Sequence, residues 1–531
     1  MKRLSLLCAA ISWLLTCVVL AAPGVRNGGG EDVILQGFHW NSSRTTPQTW
    51  YEILTQMAPT IGRDGFTKIW LPPAWVDKSS WVDANSGTSG GGEGYFWHDF
   101  DKNSNYGSEP QLKQAVDALS SAGVQAVYDV VPNHMNDNLP GTQVRFLRRL
   151  KLWRTDCIPP TPASSCDEGD PFDSGKADLN TSSPEVSSRM MQEFRNLRDN
   201  YGAKGLRFDF VRGYTPERVN LWMKDFGDQA FCVGELWKSP GEFPASDWRN
   251  KASWQDILKD WSDRSRCAVF DFALKERLQN GSLAEWRHGL NGNPDPAWRQ
   301  IAVTFVDNHD TGYSPGQYGG QHHWPVPEDK RNIAYAYILL SPGIPTVYWP
   351  DMYDWGRGDL IRTLIKLRKD AGIRADSPIR FQSHYSGLVA TINGSRQRLL
   401  IALDADLSMI PEGFTQALFA DAERIRAWQT RSAPEDTTTT LHCDNANPGN
   451  GQAVYAVGSP VELGAWDPAH AIALKPTAPQ RWSGAVVWPT QQAIKWKCVI
   501  RSLSNANQAY WQKDPDNSLT TGAGTEAVGS F

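Results

Sequence analysis

Gly205-Leu-Arg-Phe-Asp-Phe-Val-Arg-Gly213 is an apolar run that delivers a carboxylate, Asp209, at its C-terminal end. Two other runs do the same: Phe231-Cys-Val-Gly-Glu-Leu-Trp237 presents Glu235, and Phe305-Val-Asp-Asn-His-Asp310 presents Asp310. On either side of these runs, apolar strand-like stretches alternate with amphipathic helical ones eight times. The strands start at Val33, Lys68, Val124, Leu206, Ala230, Cys267, Ile301 and Thr346. The helical stretches cover 48–63, 111–121, 184–200, 216–226, 254–262, 274–286, 330–340 and 360–370. Eight such units predict an α/β fold, a (β/α)8 barrel; their regularity favours closure over a doubly wound open sheet. In a barrel the C-terminal strand ends converge on one cleft, which would gather the three carboxylates. Cleavage of a glycosidic bond needs that supply, one group as nucleophile and one as acid.

Composition narrows the classes. With 531 residues the chain exceeds one core, and a formal charge of -5 suggests neither nucleic acid nor a polybasic membrane surface as partner. The 24 Trp exceed what a core needs, and flat indole faces suit sugar rings, although about half are expected in cores. Lys2 and Arg3 followed by an apolar stretch to Leu20 and by Ala21-Ala22-Pro23 read as a secretory signal over 1–21, with a short membrane anchor as the alternative. Two of the 8 Cys, Cys8 and Cys17, leave with the signal. The others should pair in an exported protein, and proximity suggests Cys157–Cys166, Cys232–Cys267 and Cys443–Cys498.

The expected organisation is a barrel over 22–374, a small antiparallel β-domain over 375–430, a Ser/Thr/Pro-rich linker over 431–440 and an all-β module over 441–531. The connection 133–180 is too long for a barrel loop and reads as an inserted subdomain. It offers Asp167, Asp170 and Asp178, with Asn133 at its root, hard oxygen donors that suit calcium; the plain alternative is acidic residues in water.

Asp129-Val-Val-Pro-Asn-His134, Gly205 to Gly213, Gly234-Glu-Leu-Trp237 and Phe305 to Asp310 resemble the four signature regions of the α-amylase family, the family-13 glycoside hydrolases; Ala177-Asp-Leu-Asn180 resembles its fifth. The resemblance implies retaining cleavage of α-1,4-glucans, with Asp209 as nucleophile, Glu235 as acid then base, and Asp310 stabilising the transition state. It implies sugar contacts from His134 and His309, Arg207 as counter-ion to Asp209, and Tyr95 stacked on the sugar, a core aromatic being the alternative for Tyr95. It also implies a structural calcium with Gly213 contributing a carbonyl. Tyr455-Ala-Val-Gly-Ser459, Glu462-Leu-Gly-Ala-Trp466, Lys495 to Arg501 and Tyr510 to Asn517 resemble a family-20 starch-binding module, which implies contacts from Trp466, Lys497, Trp511 and Asn517. Longer runs, such as Gly289-Leu-Asn-Gly-Asn-Pro-Asp-Pro296, resemble maltotetraose-forming members and imply exo action from non-reducing ends. Two departures bear on that: the segment before Val33 has no His for a second calcium, and Lys176 stands where an acid is usual. A glucanotransferase on the same scaffold and a non-catalytic carbohydrate binder are the competing readings. The expected setting is extracellular, as a monomer acting on starch and malto-oligosaccharides.

Overall fold

The computed structural model describes residues 24–82, 89–136, 169–172, 178–316, 320–382, 385–407, 414–430, 436–459, 461–466, 468–489, 493–505, 508–522 and 524–531. The signal segment 1–21, Asp167 and the Cys157–Cys166 pair lie outside these residues.

Eight parallel strands close a barrel in sequence order: β1 (Ile34–Gln36), β2 (Lys68–Leu71), β3 (Gln125–Val130), β4 (Gly205–Phe208), β5 (Phe231–Gly234), β6 (Ala268–Phe270), β7 (Ala302–Phe305) and β8 (Ile344–Tyr348). β8 returns to β1 with Ile34 opposite Thr346. The strands are buried nearly throughout, because helices cover the outside and side chains fill the inside.

The helices form where capping and periodicity agree. α1 (Trp50–Arg63) starts at Thr49, whose hydroxyl accepts the Glu52 N–H while Glu52 reaches back, and it buries Trp50, Leu54, Ala58 and Ile61 along one stripe. α2 (Glu109–Ser121), α3 (Pro184–Asn200), α4 (Pro216–Phe226) and α5 (Trp254–Ser265) follow their strands in turn. The helix expected over 274–286 is in fact two elements. α6 (Phe272–Asn280) stops before Gly281, and a Ser282–Glu285 capping box starts a 3-10 turn, Leu283–His288. α7 (Glu328–Leu340) has nine buried residues, because the barrel covers one side and the next sheet covers another. α8 (Gly358–Ala371) closes the barrel and ends on Gly372 at φ 70°.

A five-stranded antiparallel sheet follows, ordered β9 (Ile379–Gln382), β10 (Leu388–Asn393), β11 (Arg398–Leu403), β13 (Ile425–Thr430), β12 (Phe414–Ala420). The last part is two sheets, and it begins earlier than expected. β14 (Asp436–Asp444) is a nine-residue strand, so 436–440 are strand and not linker. Its Thr437 to Thr440 run, β-branched throughout, pairs residue by residue with β18. One sheet runs β17 (Lys475–Ala478), β18 (Arg481–Pro489), β14, β22 (Glu526–Ser530). The other runs β16 (Ile472–Ala473), β15 (Gln452–Gly458), β19 (Ala493–Ser502), β20 (Ala509–Trp511), with β21 (Asn517–Thr520) also on β19. The Cys443–Cys498 disulfide joins the two sheets around a core holding Trp488 and Trp496, and Cys232–Cys267 joins the edges of β5 and β6.

Candidate active site

Asp209 and Glu235 are the residues directly after β4 and β5, and their N–H groups still bond the neighbouring strands, to Val130 O at 2.9 Å and Phe208 O at 3.1 Å. The carboxylates are therefore held by the barrel itself. Phe210 then turns the chain sharply, at φ 46° and ψ 47°, a left-handed conformation costly for a bulky residue. That strain turns its ring against His134 and Phe172, at 6.1 and 5.2 Å between centroids.

Arg207, one pleat before Asp209, points into the barrel and is wholly buried. Its Nη1 donates to Asp209 Oδ1 at 2.7 Å and to both oxygens of Asp129 at 2.9 and 3.0 Å. Its Nη2 stands 2.8 Å from Glu235 Oε1 but off the hydrogen-bonding direction, so this contact is charge attraction only. The guanidinium lies 4.8 Å over the Trp70 ring. Asp129 also accepts from Tyr95 Oη at 2.9 Å and Trp70 Nε1 at 3.0 Å. With three donor groups making four contacts to it, Asp129 is the hub beneath the site, and burial raises its carboxyl to about 7.

Above this hub opens a cleft of about 800 Å³ at the C-terminal end of the barrel. Asp209, Glu235, Asp310, His134, His309 and Tyr95 all line it. Tyr95 stacks on His309 at 5.2 Å between centroids, within 8° of parallel. Gln36 Nε2 bonds His309 Nδ1 at 2.8 Å, and His309 Nε2 is 3.3 Å from Asp310 Oδ2. Burial dominates the electrostatics. It pushes Glu235 well above the usual carboxylate range; Arg207 opposes this, while the charges of Asp209 and Asp310 add to it. It raises Asp310 to about 7 and lowers His134 to about 4 and His309 further, so both rings are neutral near pH 7.

Sequence reasoning missed Asp129, Trp40, Trp81, Glu93 and Trp237. Asp129 was discernible as a lone acid inside the apolar run Ala126-Val-Tyr-Asp-Val-Val131. Trp40 and Trp81 pack edge to face at 6.2 Å on the β1–β2 side of the cleft, and Trp237 stands on the β5 side.

The described members of the expected cation set gather at one place: the Asp170 N–H donates to Arg212 O at 2.8 Å, and the Gly169 backbone lies against Gly213. Asn133 is buried and its Oδ1 has no hydrogen-bond partner. The Gly213 backbone lies against that oxygen, where a Cβ would sit 2.0 Å away. Asp178 is fully buried beside Asn133 Nδ2, 3.3 Å from its Oδ1. The Asp170 carboxylate also accepts from Lys238 Nζ at 2.6 Å and Arg212 Nε at 2.7 Å.

In the C-terminal module, Trp466 and Trp511 pack on the outer face of β15 and β19, against Tyr455, Val457 and Val499. Lys497 is on that face, but its ammonium is bound by Asp514 at 2.7 Å and lies 3.5 Å from Asp516. It braces the 512–516 loop instead of reaching outward. Asn517 is opposite Trp496, a core residue, and exchanges hydrogen bonds with Gln512 at 2.8 and 2.9 Å. It therefore faces inward, away from the two indoles, which corrects the sugar-contact expectation for Asn517.

A family description reading "Starch binding domain" matches residues 436–530, and one reading "Glucan 1,4-alpha-maltotetraohydrolase, domain C" matches 353–412. The glucan 1,4-alpha-maltotetraohydrolase of Stutzerimonas stutzeri is 54% identical over 95% of this chain and 94% of its own length. The chain belongs to the glucan 1,4-alpha-maltotetraohydrolase family. The enzyme of the same name from Roseateles saccharophilus is 53% identical over 96% of this chain and 95% of its own. A solved gamma-cyclodextrin glucanotransferase from an alkalophilic Bacillus clarkii superposes with TM-score 0.53 over 96% of this chain and 99% of that one. At 15% identity it supports the fold alone.

Proposed function

We propose that this chain is a secreted, monomeric, retaining glycoside hydrolase that cleaves α-1,4 bonds of starch from non-reducing ends and releases maltotetraose. The observation that carries the reading is a single buried guanidinium, Arg207, within 2.7 and 2.8 Å of Asp209 and Glu235. One cation reaching both carboxylates supports the short separation, about 5–5.5 Å, that retaining cleavage requires.

Asp209 attacks the anomeric carbon while Glu235, kept protonated by burial, gives its proton to the departing oxygen. The glycosyl ester on Asp209 has lost that residue's negative charge. One of the influences raising Glu235 is thereby removed, so it stays ionised more readily after giving up its proton and is free to take one from the incoming water. Asp310, beside His309, would bind the distorted ring, with His134 and His309 as neutral partners for hydroxyls and Tyr95 beneath it. With Glu235 serving the leaving oxygen, its neighbour Trp237 would meet the aglycone, and Trp40 and Trp81, which also line the cleft, would meet the glycone. Two indoles closing the glycone side support exo action.

Asn133, Asp178 and the Gly213 carbonyl, with Asp167 and Asp170 from the inserted segment, would hold a calcium ion, which when bound supplies a structural clamp and takes no part in the reaction. The unsatisfied Asn133 Oδ1 supports this assignment. Trp466 and Trp511 would stack on glucose rings of the polymer. Residues 22–374, 375–430 and 436–531 are read as the catalytic, small β and starch-binding domains.

Time-resolved chromatography of products from soluble starch tests the function. Maltotetraose as the sole early product is expected. An early spread of oligosaccharides would overturn exo action, and products joined to a labelled acceptor would point to a transferase.

A further inference from the structure

Asp307 lies three residues before Asp310 and two before His309, is wholly buried, and does not line the cleft. Four donors converge on it from separate parts of the chain. Lys275 Nζ, from α6, is 2.6 Å from Oδ1, and Thr311 Oγ1 donates to the same oxygen at 2.9 Å. Arg331 Nη1, from α7, donates to Oδ2 at 2.7 Å, and the Val326 N–H donates there at 3.1 Å. Asp351 binds the other arm of Arg331 at 2.8 Å and accepts from Tyr335 Oη at 2.6 Å. The chain after β7 is thus tied to one carboxylate near its start, at Thr311, and again at Val326.

Asp310 is laced into the same unit. Its N–H donates to Asn308 Oδ1 at 3.0 Å, which also accepts from Thr311 N at 2.9 Å. Thr311 Oγ1 accepts the Asn308 N–H at 3.0 Å while giving its own proton to Asp307. The Asp310 carbonyl accepts from His323 N at 2.9 Å. A buried cluster of two acids and two bases is poorly explained by stability, since apolar residues of similar volume serve as well or better. It does fix one arrangement of the backbone that bears Asp310.

We propose that Asp307, with Lys275, Arg331 and Thr311, is a positioning unit that sets the Asp310 carboxylate against the sugar ring at the scissile bond. None of its members touches substrate. The inference rests on Asp310 acting in the transition state, so displacement of its carboxylate lowers turnover and leaves substrate capture nearly unchanged.

The test is steady-state kinetics of full-length variants on maltopentaose, with melting temperatures alongside. Thr311→Val removes the hydroxyl at similar volume. It should lower kcat by roughly 10- to 100-fold with KM within about twofold, as expected for a small misplacement of a reacting group. Thr311→Ser, which keeps the hydroxyl, should restore most of the loss. Lys275→Met, assayed per folded molecule, should reproduce the kcat effect and covers the case in which Thr311→Val does not fold. A wild-type kcat in folded Thr311→Val or Lys275→Met, with only melting lowered, would overturn the positioning role. Asp310→Asn separates the two claims: its activity would refute the reading of Asp310, whereas inactivity together with a neutral Thr311→Val would refute the positioning unit alone.

Discussion

Arg207 organises the site at the scale of single residues. One buried cation contacts Asp129, Asp209 and Glu235, so its planar fork matters more than its charge. Arg207→Lys keeps the charge and loses the fork; kcat on maltopentaose should fall by about 100-fold or more, and a near-normal rate would refute the bridging role. Burial also fixes the pH dependence. Glu235 is raised by burial, so activity should decline on the alkaline side as its proton is lost. His134, lowered to about 4, and His309 are neutral there, so no limb near pH 6.5 should report them. A kcat/KM profile with a limb at 6.5 that disappears on replacing either histidine would contradict this. Legibility at this scale was uneven. Asp209, Glu235 and Asp310 were readable because each ends an apolar run. Asp129 was visible as a lone acid within such a run, but its role was not, because that depends on Arg207, Tyr95 and Trp70 arriving from other segments.

Elements show why some contacts were readable and others not. The barrel strands and most helices announce themselves through apolar runs and caps, whereas the side a residue faces depends on register. Asn517 illustrates this: one position along β21 decides whether a side chain meets the indole face or the core, and only pairing with Trp496 settles it inward. Asp170 is a second case, since acidic density does not reveal the ion pairs that Arg212 and Lys238 bring to it from other elements. Residues 169–172 meet the barrel by a close backbone approach of Gly169 to Gly213, where a Cβ on Gly213 would strike Asn133 Oδ1 at 2.0 Å. Chelator should therefore lower the melting temperature of the wild type, whereas Gly213→Ala should melt lower from the start and respond less to chelator. An unchanged melting curve in chelator, with no metal by elemental analysis, would refute the calcium assignment. On the starch-binding face, Trp466→Ala and Trp511→Ala should each weaken adsorption to granular starch by roughly tenfold, the loss of a stacking anchor, and leave rates on maltopentaose unchanged. Equal adsorption would refute the platform.

The whole molecule couples three β-containing parts, and its stability should respond to acid and to reductant. His39 is buried and lowered to about 3 by desolvation, below the ordinary 6.5 of an unfolded chain. Its folded form resists protonation, so its contribution is complete above pH 6.5 and is lost as pH falls toward 3. Calorimetry from pH 7 to pH 4 should show a falling melting temperature, with a shallower fall in His39→Gln; an equally steep fall would assign the acid sensitivity elsewhere. Reducing Cys232–Cys267 and Cys443–Cys498, which close spans of 35 and 55 residues, should cost about 3–4 kcal/mol each. The central claim is a double displacement through Asp209 with Glu235 as acid and base. Proton NMR of the first product released from a maltooligosaccharide, recorded before mutarotation, tests it most directly. The account predicts maltotetraose in the α-configuration at its new reducing end, and a β-configured first product would contradict it.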